Sequence, residues 1–135
     1  MFGRGSINVT QLKKFCAALP GAAQRLYEPP SNVLVYSVDG KWFAYFKTSA
    51  PERWRFSVRV TSEQFVWLTD LPGMKPARYR GRHGWITIVD VKNVQPQFLK
   101  DLVRGSYWRA VSGLSKRRRQ ALESSPRSSS SASPV

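Results

Sequence analysis

The stretch NVLVYSVDGKWFAYFK, residues 32–47, gives the strongest indication of local structure in the chain. Two runs rich in β-branched and aromatic residues, 33–38 and 41–46, flank the dipeptide Asp39-Gly40. Aspartate and glycine tolerate the positive φ angles of a tight two-residue turn. The pattern therefore predicts a β-hairpin, and the neighbouring segments can be placed relative to it.

The stretch RWRFSVRV, residues 53–60, predicts a third strand beside this hairpin. In a strand, alternate side chains face opposite sides of the sheet, so the apolar and the basic residues would separate onto two faces. One face would hold Trp54, Phe56, Val58 and Val60, and the other Arg53, Arg55, Ser57 and Arg59. An ordinary half-buried strand with a polar outer side is the alternative interpretation.

The stretch KPARYRGRHGWITIVDV, residues 75–91, predicts a second basic hairpin. Arg78, Arg80 and Arg82 recur at every second position, and Gly81 and Gly84 mark a turn or bulge. The apolar, β-branched residues that follow then run back as a strand.

Three helices complete the prediction. Asn8 with Gln11 and Thr61 with Gln64 have the spacing of capping boxes, and Pro96 suits the first turn of a helix. The order of elements is then α-β-β-β-α-β-β-α. This is an α+β fold with an antiparallel sheet of about five strands and three helices.

The composition changes at about residue 112. Residues 1–111 have the length and apolar content of one domain with one core, whereas KRRR at 116–119 is followed by the Ser/Pro-rich segment SSPRSSSSASPV. The sequence therefore predicts a disordered tail over residues 112–135. Its basic run is typical of a solvated segment, and a nuclear import patch or a flexible arm on nucleic acid are the functional alternatives.

Basic residues exceed acidic ones both in the domain and in the tail. The 135 residues include 22 Lys and Arg against 8 Asp and Glu, a net charge of +14. Residues 1–111 alone hold 17 basic and 7 acidic side chains, so the predicted domain has a net charge of +10 without the tail. Such a charge favours polyanionic partners, chiefly nucleic acid or an anionic membrane surface.

Localisation is predicted from what the sequence lacks. No segment has the apolar run of a secretion signal or a membrane span, and Cys16 is the single cysteine. Both features predict a cytoplasmic protein without membrane association. Cys16 lies on the apolar stripe of the first helix, which predicts a small buried hydrophobe and not a nucleophile.

The sequence shows no pattern typical of catalysis or metal binding. His83 is the only histidine, and it lies in a glycine-rich turn with no neighbouring carboxylate or nucleophile. One histidine and one cysteine make no ligand set for zinc, and no glycine loop has the frame of a phosphate-binding motif. The sequence predicts a protein that is not an enzyme and needs no metal or cofactor.

Several motifs, in their order along the chain, resemble the MmcQ/YjbR family, the double-wing proteins with a CyaY-like fold. They are LPG after the first helix, VDGKWFAYF, RFSVRV, LPGM, YRGRHGWITIVD and SYWRAV, and together they span about residues 8–114. The resemblance implies an α+β domain and a role in DNA binding. It places the hairpin glycine and lysine of the family at Gly40 and Lys41, its buried pair at Phe43 and Ala44, and a basic strand position at Arg59.

The later hairpin departs from one branch of the family, which reads roughly HMNKxHW there. Residues 79–85, YRGRHGW, share only the tryptophan with that motif and are more similar to a YxGRxGW branch. The CyaY-like fold also includes iron-binding proteins, which need clustered carboxylates, whereas the acidic residues here are widely spaced along the chain. Iron binding is therefore not expected.

The predicted function is non-enzymatic DNA binding through backbone phosphates, with little sequence-specific readout. Two basic hairpins would act as two wings, because arginines two apart on a strand are about 6.6 Å apart, near twice the roughly 3.4 Å rise per nucleotide. The predicted contact residues are Lys41, Arg53, Arg55, Arg59, Arg78, Tyr79, Arg80 and Arg82. DNA is the expected partner of a monomeric protein, with RNA left open.

Two alternatives use different chemistry. An adaptor would dock an acidic protein partner on the same basic surface. A small-ligand or enzyme domain would hold a pocket between the sheet and the helices, although the sequence offers no constellation of residues for it.

Overall fold

The computed structural model describes residues 7–49, 55–78, 80–114 and 116–123. Its helices are α1 (Val9–Ala17), α2 (Ser62–Leu68), α3 (Pro96–Ser112) and α4 (Lys116–Glu123). Its strands are β1 (Ala22–Tyr27), β2 (Val33–Val38), β3 (Lys41–Lys47), β4 (Phe56–Arg59), β5 (Met74–Pro76) and β6 (Trp85–Ile88). The predicted α+β class is confirmed, with six strands and four helices among the described residues instead of about five and three.

The strands form one antiparallel sheet in the order β1-β2-β3-β4-β6-β5. The predicted hairpin of β2 and β3 is confirmed, and its turn residues Asp39 and Gly40 have φ angles of 49° and 83°. Two positive φ angles give a turn whose twist matches that of the flanking strands. β4 pairs with β3, which confirms the predicted meander.

β1 is a strand that the sequence reading missed. Its sequence, AAQRLY, lacks apolar alternation, and Gln24, Arg25 and Leu26 are exposed at the edge of the sheet. β2 pairs with it along its whole length, from Ala22 opposite Val38 to Tyr27 opposite Val33. β1 is therefore a strand because it pairs with β2, and not because its own residues favour strand structure.

The N-termini of α1, α2 and α3 lie where the sequence predicts them. Asn8 and Gln11 bond each other's backbone N–H groups through their side chains, at 2.7 and 3.0 Å, and Thr61 and Gln64 do the same at 3.0 Å. Both predicted capping boxes are thus confirmed, and Pro96 stands in the first turn of α3 as expected. Within the described residues, no helix combines the length and apolar character needed to span a bilayer.

Helices α1 and α3 cover one face of the sheet and enclose the main core. Its large, fully buried side chains include Leu12, Phe43, Phe46, Phe56, Leu68, Ile86, Ile88 and Leu99. Cys16 is fully buried in this core, as predicted, and burial raises the pKa of its thiol well above the ordinary value. A thiol kept neutral in an apolar core packs as a small hydrophobic group.

The opposite face of the sheet carries a smaller buried cluster of Val35, Tyr45, Ala77 and Trp85. Ser57, expected on a solvent-facing basic side of its strand, is only 2% exposed, and its hydroxyl bonds that of Thr87 at 2.8 Å. The middle of β4 is therefore buried on both faces. The expectation of a continuous solvent-facing basic side is wrong at this position.

The strand of the second basic hairpin is shorter than predicted. β5 ends at Pro76 and residues 81–83 form a 3-10 turn, so Arg78, Arg80 and Arg82 do not alternate across a strand. The Gly81 N–H donates to the Ala77 carbonyl at 2.8 Å, and Gly84 has a φ angle of 86°. Glycine adopts this left-handed conformation without steric cost, which lets the chain reverse here before β6.

Part of the predicted disordered tail is helical. α4 occupies residues 116–123, and residues 124–135 lie outside the described part of the chain. Arg118 forms a bidentate ion pair with Asp39 of the hairpin turn, with Nε to Oδ2 at 2.7 Å, and Leu122 packs against the main core. Arginine, lysine, glutamine and alanine are good helix formers, and tertiary contacts supply the stability that a short isolated helix lacks.

Candidate nucleic-acid interface

A cleft of about 280 Å³ opens at one end of the sheet. At this end β3 begins, β4 ends and β6 begins, because neighbouring antiparallel strands run in opposite directions. The C-terminal half of α3 forms the other wall. The lining residues are Lys41, Trp42, Arg59, Arg80, Trp85, Ser106, Arg109, Ala110 and Gly113. We call it the cationic cleft, since four of these side chains are basic.

Ser106 joins the elements that build the cleft. Its hydroxyl donates to the Phe43 carbonyl on β3 at 2.6 Å and accepts from the Arg59 N–H on β4 at 3.0 Å. Ser106 is fully buried, so neither backbone group has water as a substitute partner. The two bonds fix α3 against β3 and β4, and with them the backbone that carries the basic side chains.

A bulge in β3 separates the cleft side chains from the core side chains. Successive pairs of β2 and β3 skip one residue, since Tyr36 pairs with Ala44 and Ser37 with Trp42. The skipped residue is Phe43, which is buried in the main core, whereas Trp42 packs with the cluster on the opposite face. A bulge of this kind re-aims the strand beyond it, here toward the cleft.

Arg80 is stacked on the aromatic side chains of the cleft. Its guanidinium carbon lies 4.0 Å from the centre of the Trp42 ring and 5.7 Å from that of Trp85. The attraction between a cation and an indole face holds the guanidinium in place. Tyr27 and Tyr45 pack against other sides of Trp42, with ring centres at 5.7 and 6.0 Å. Trp42 therefore supports an arginine side chain.

The described residues do not compensate the charge of the cationic cleft. No described carboxylate lines it, and none of its four basic side chains forms an ion pair within the described part of the chain. The ion pairs of Arg104 with Asp101 and of Arg118 with Asp39 lie elsewhere. Positive groups around a small volume repel one another, and a bound anion relieves that repulsion. The cleft is chemically suited to binding an anion.

Further basic side chains lie on the sheet face opposite α1 and α3. Strand pairing puts Arg25 beside Val35 and Lys75 beside Thr87, on the side of the smaller cluster. On β4, Arg59 lies two positions after Ser57 and therefore points to the same face, and Arg55 immediately precedes the strand in the same alternation. We define the basic face as Arg25, Arg55, Arg59, Lys75 and Arg80.

The structure brings together only part of the predicted contact set. Lys41, Arg59 and Arg80 converge on the cationic cleft, and Arg55 immediately precedes the other end of β4, about 13 Å from Arg59 along the chain. Arg78 is exposed in the turn after β5. The remaining predicted contacts fall outside the description: Arg53, Tyr79 and the side chain of Arg82.

Three basic residues of this surface were missed at the level of sequence. Arg109 is not among the predicted contact residues, but it faces the cleft one turn after Ser106. Arg25 belongs to β1, a strand that was not predicted, and its guanidinium carbon lies 4.9 Å from the centre of the Tyr27 ring. Lys75 directly follows the LPGM motif, and no alternating pattern in the sequence indicates that it belongs to a basic surface. Only the pairing of the strands and the docking of α3 place these residues on the surface.

Replacing Ser106 by alanine should lower the free energy of unfolding. The change leaves the Phe43 carbonyl and the Arg59 N–H buried without their shared partner, and each such group costs about 1–3 kcal/mol. Urea denaturation of the wild type and the variant measures the loss. The matched control is Ser112→Ala on the same helix, because the exposed Ser112 hydroxyl only donates to the Arg109 carbonyl at 2.9 Å. Equal stability of the two variants would contradict the role assigned to Ser106.

Comparison with known proteins identifies the fold. The sequence model of the family described as YjbR matches residues 17–109. Among solved structures, the Deinococcus radiodurans protein DR2400, described with the domain DUF419, is 23% identical with a TM-score of 0.75, covering 86% of this chain and 88% of that one. A Pseudomonas syringae protein is 17% identical with a TM-score of 0.63, covering 77% and 99% respectively. At these identities the two structures show a shared fold alone. No curated protein matches the chain.

Proposed function

The chain belongs to the YjbR family, and from that premise we propose that it is a non-enzymatic DNA-binding protein that contacts backbone phosphates through its basic face and its cationic cleft. One observation carries the proposal. Four basic side chains from β3, β4, α3 and the turn before β6 meet in one cleft, and no described carboxylate neutralises them. Clustered cations without acidic partners are the electrostatic footprint expected of a protein that binds nucleic acid.

The basic face continues from the cleft in a direction that suits a phosphate backbone. Arg55 immediately before β4 and Arg59 at its end are about 13 Å apart along the chain, which is close to four nucleotide steps of about 3.4 Å. Arg25 and Lys75 lie on strands at the two edges of the sheet and widen the charged surface. Guanidinium and ammonium groups in this arrangement supply charge and position, which are independent of sequence.

The proposed function needs no catalytic step. Among the described residues, no group of three or more His, Cys, Asp or Glu side chains could hold a metal ion. His83 is exposed on the turn before β6. The basic side chains of the cleft offer electrostatic attraction and hydrogen-bond donation, and both serve binding.

The test is to remove charge from the basic face. The double variant Arg59→Ser with Arg80→Ser should bind duplex DNA about 100-fold more weakly, because each removed charged hydrogen bond costs about tenfold or more. Fluorescence anisotropy with two unrelated duplexes measures the affinities. Both duplexes should lose affinity equally, since a loss confined to one of them would mean direct reading of bases.

The control removes the same number of positive charges from the helices that cover the other face of the sheet. Lys14 at the end of α1 and Lys100 on α3 lie outside the cationic cleft and the basic face. The double variant Lys14→Ser with Lys100→Ser should change the affinity less than about threefold, because screened charges far from the ligand contribute little. Comparable losses in both double variants would show that net charge alone drives binding, and that the basic face has no special part in it.

An adaptor that docks an acidic protein remains the competing hypothesis for this surface. A pull-down repeated after nuclease treatment separates the two, because a contact through nucleic acid disappears with it. A partner retained after complete digestion favours the adaptor.

We also propose that the protein acts as a monomer in the cytoplasm. Cys16, the single cysteine, is free and buried, which suits a reducing compartment. Light scattering of the purified protein tests the monomeric state, and cell fractionation tests the cytoplasmic location.

A further inference from the structure

We propose that the cationic cleft binds a phosphomonoester, carried either at the end of a nucleic-acid strand or on a free nucleotide. Where the phosphomonoester is the end of a nucleic-acid strand, the inference rests on the proposed function. It goes further, because internal backbone phosphates are diesters with one negative charge, whereas a phosphomonoester with a second pKa of about 6 carries close to two at neutral pH.

The charge density of the cleft favours the dianion. Lys41, Arg59, Arg80 and Arg109 surround a volume of about 280 Å³. Coulomb attraction is proportional to the ligand charge, so a dianion gains about twice as much as a monoanion at the same place. A surface that only follows a backbone needs cations spaced along it, as Arg25, Arg55 and Lys75 are. The four cations that line one cleft carry more positive charge than a single diester can neutralise.

Arg80 is held in a geometry that suits a phosphate group. Stacking on Trp42 at 4.0 Å uses the face of the planar guanidinium and leaves its N–H donors, which lie in the plane, free to bond a ligand. A planar pair of N–H groups binds two phosphate oxygens at once. Since Trp42 is itself packed between Tyr27 and Tyr45, little motion is needed on binding.

The walls of the cleft favour a chain end. Its volume is just below the range of about 300–1,000 Å³ typical of pockets for drug-sized ligands. Gly113 adds no side chain beside Lys41, and a Cβ there would lie 3.3 Å from the Lys41 Cε. An internal diester carries a sugar on both sides, whereas a monoester carries one on one side only. α3 forms one wall of the cleft, and a terminal phosphate, with a sugar on one side only, needs less room there than an internal diester.

The experiment compares one short single strand in three forms: with a 5′-phosphate, with a 3′-phosphate, and with hydroxyl groups at both ends. Anisotropy of an internal label should show that one phosphorylated form binds about tenfold more tightly than the hydroxyl form, the effect of one added charged hydrogen bond. Arg109→Gln should bring this ratio close to one. Arg104→Gln, on the same helix but outside the cleft, should leave the ratio unchanged.

Two results would overturn the inference. The first is equal affinity for all three strands together with an unchanged unfolding temperature on addition of dAMP. The second is a preference for phosphate that persists in Arg109→Gln, since the terminal phosphate would then bind elsewhere.

The same measurements separate this inference from the proposed function. If no strand binds, the DNA-binding function fails. A rise in the unfolding temperature with dAMP that Arg109→Gln abolishes would still support the phosphomonoester site, with a free nucleotide as its ligand. If neither binding nor that rise is seen, both proposals fail.

Discussion

The affinity for duplex DNA should fall by about three orders of magnitude when monovalent salt is raised from about 50 to about 200 mM. The basic face and the cationic cleft together hold seven basic side chains, and we expect them to neutralise about six phosphates, each of which releases condensed counterions. At about 0.9 per phosphate, the slope of log affinity against log salt is then about −5. Anisotropy titrations of one duplex at four salt concentrations measure it.

The double variant Arg59→Ser with Arg80→Ser provides the internal control for this slope. Removing two phosphate contacts should make the slope shallower by about two, whatever the duplex sequence. A slope near zero in the wild type would mean that phosphates are not the ligand. A slope that the two substitutions leave unchanged would place the contacts on another surface.

Phe43→Ala should lower the free energy of unfolding by about 3–5 kcal/mol, the range for removal of a fully buried aromatic ring. Phe43 is fully buried, and its ring packs edge-to-face on Tyr107 with 5.3 Å between centres. The loss is large against a total stability of about 5–15 kcal/mol for a domain. Urea denaturation monitored by circular dichroism gives the difference.

Trp67→Ala is the comparison for this variant. Trp67 is also aromatic but 47% exposed on α2, so its removal should cost less than about 1 kcal/mol. If Phe43→Ala destabilises no more than Trp67→Ala, then Phe43 does not support the fold at the β3 bulge as described.

The sequence predicts those parts of the fold that local chemistry decides. Asp39-Gly40 prescribes a hairpin turn because few other residues accept two positive φ angles, and the structure has them. The capping boxes at Asn8 and Thr61 are equally local, since each closes within one helical turn. These signals depend on residues at most three positions apart.

The missed parts depend on distant residues. β1 has no pattern of its own and exists because β2 pairs with it. Arg78, Arg80 and Arg82 alternate along the sequence as in a strand, but a 3-10 turn occupies Gly81–His83 and Arg80 stacks on Trp42 of the distant strand β3. α4 depends on Asp39 and on the core, and both contacts lie far away in sequence.

The sequence predicted that the candidate site would be basic, but it did not predict how the basic side chains are arranged. Lys41, Arg59 and Arg80 were named from alternation and from a family resemblance, and they do converge. Two separate wings were expected, whereas both hairpins belong to one sheet with β4 between them. The contribution of Arg109 needed the docking of α3 through Ser106, a contact between residues 47 positions apart. No pattern along the chain records such a contact.

The stacking of Arg80 on Trp42 also gives the protein its own optical reporter. An anion bound to the stacked guanidinium changes the electric field at that ring, and the emission of the tryptophan should shift or change in intensity. Trp67 and Trp108 are exposed and lie outside the cleft, so they contribute a steady background. Ligand occupancy can therefore be followed without a dye, from the intrinsic fluorescence of the unlabelled chain.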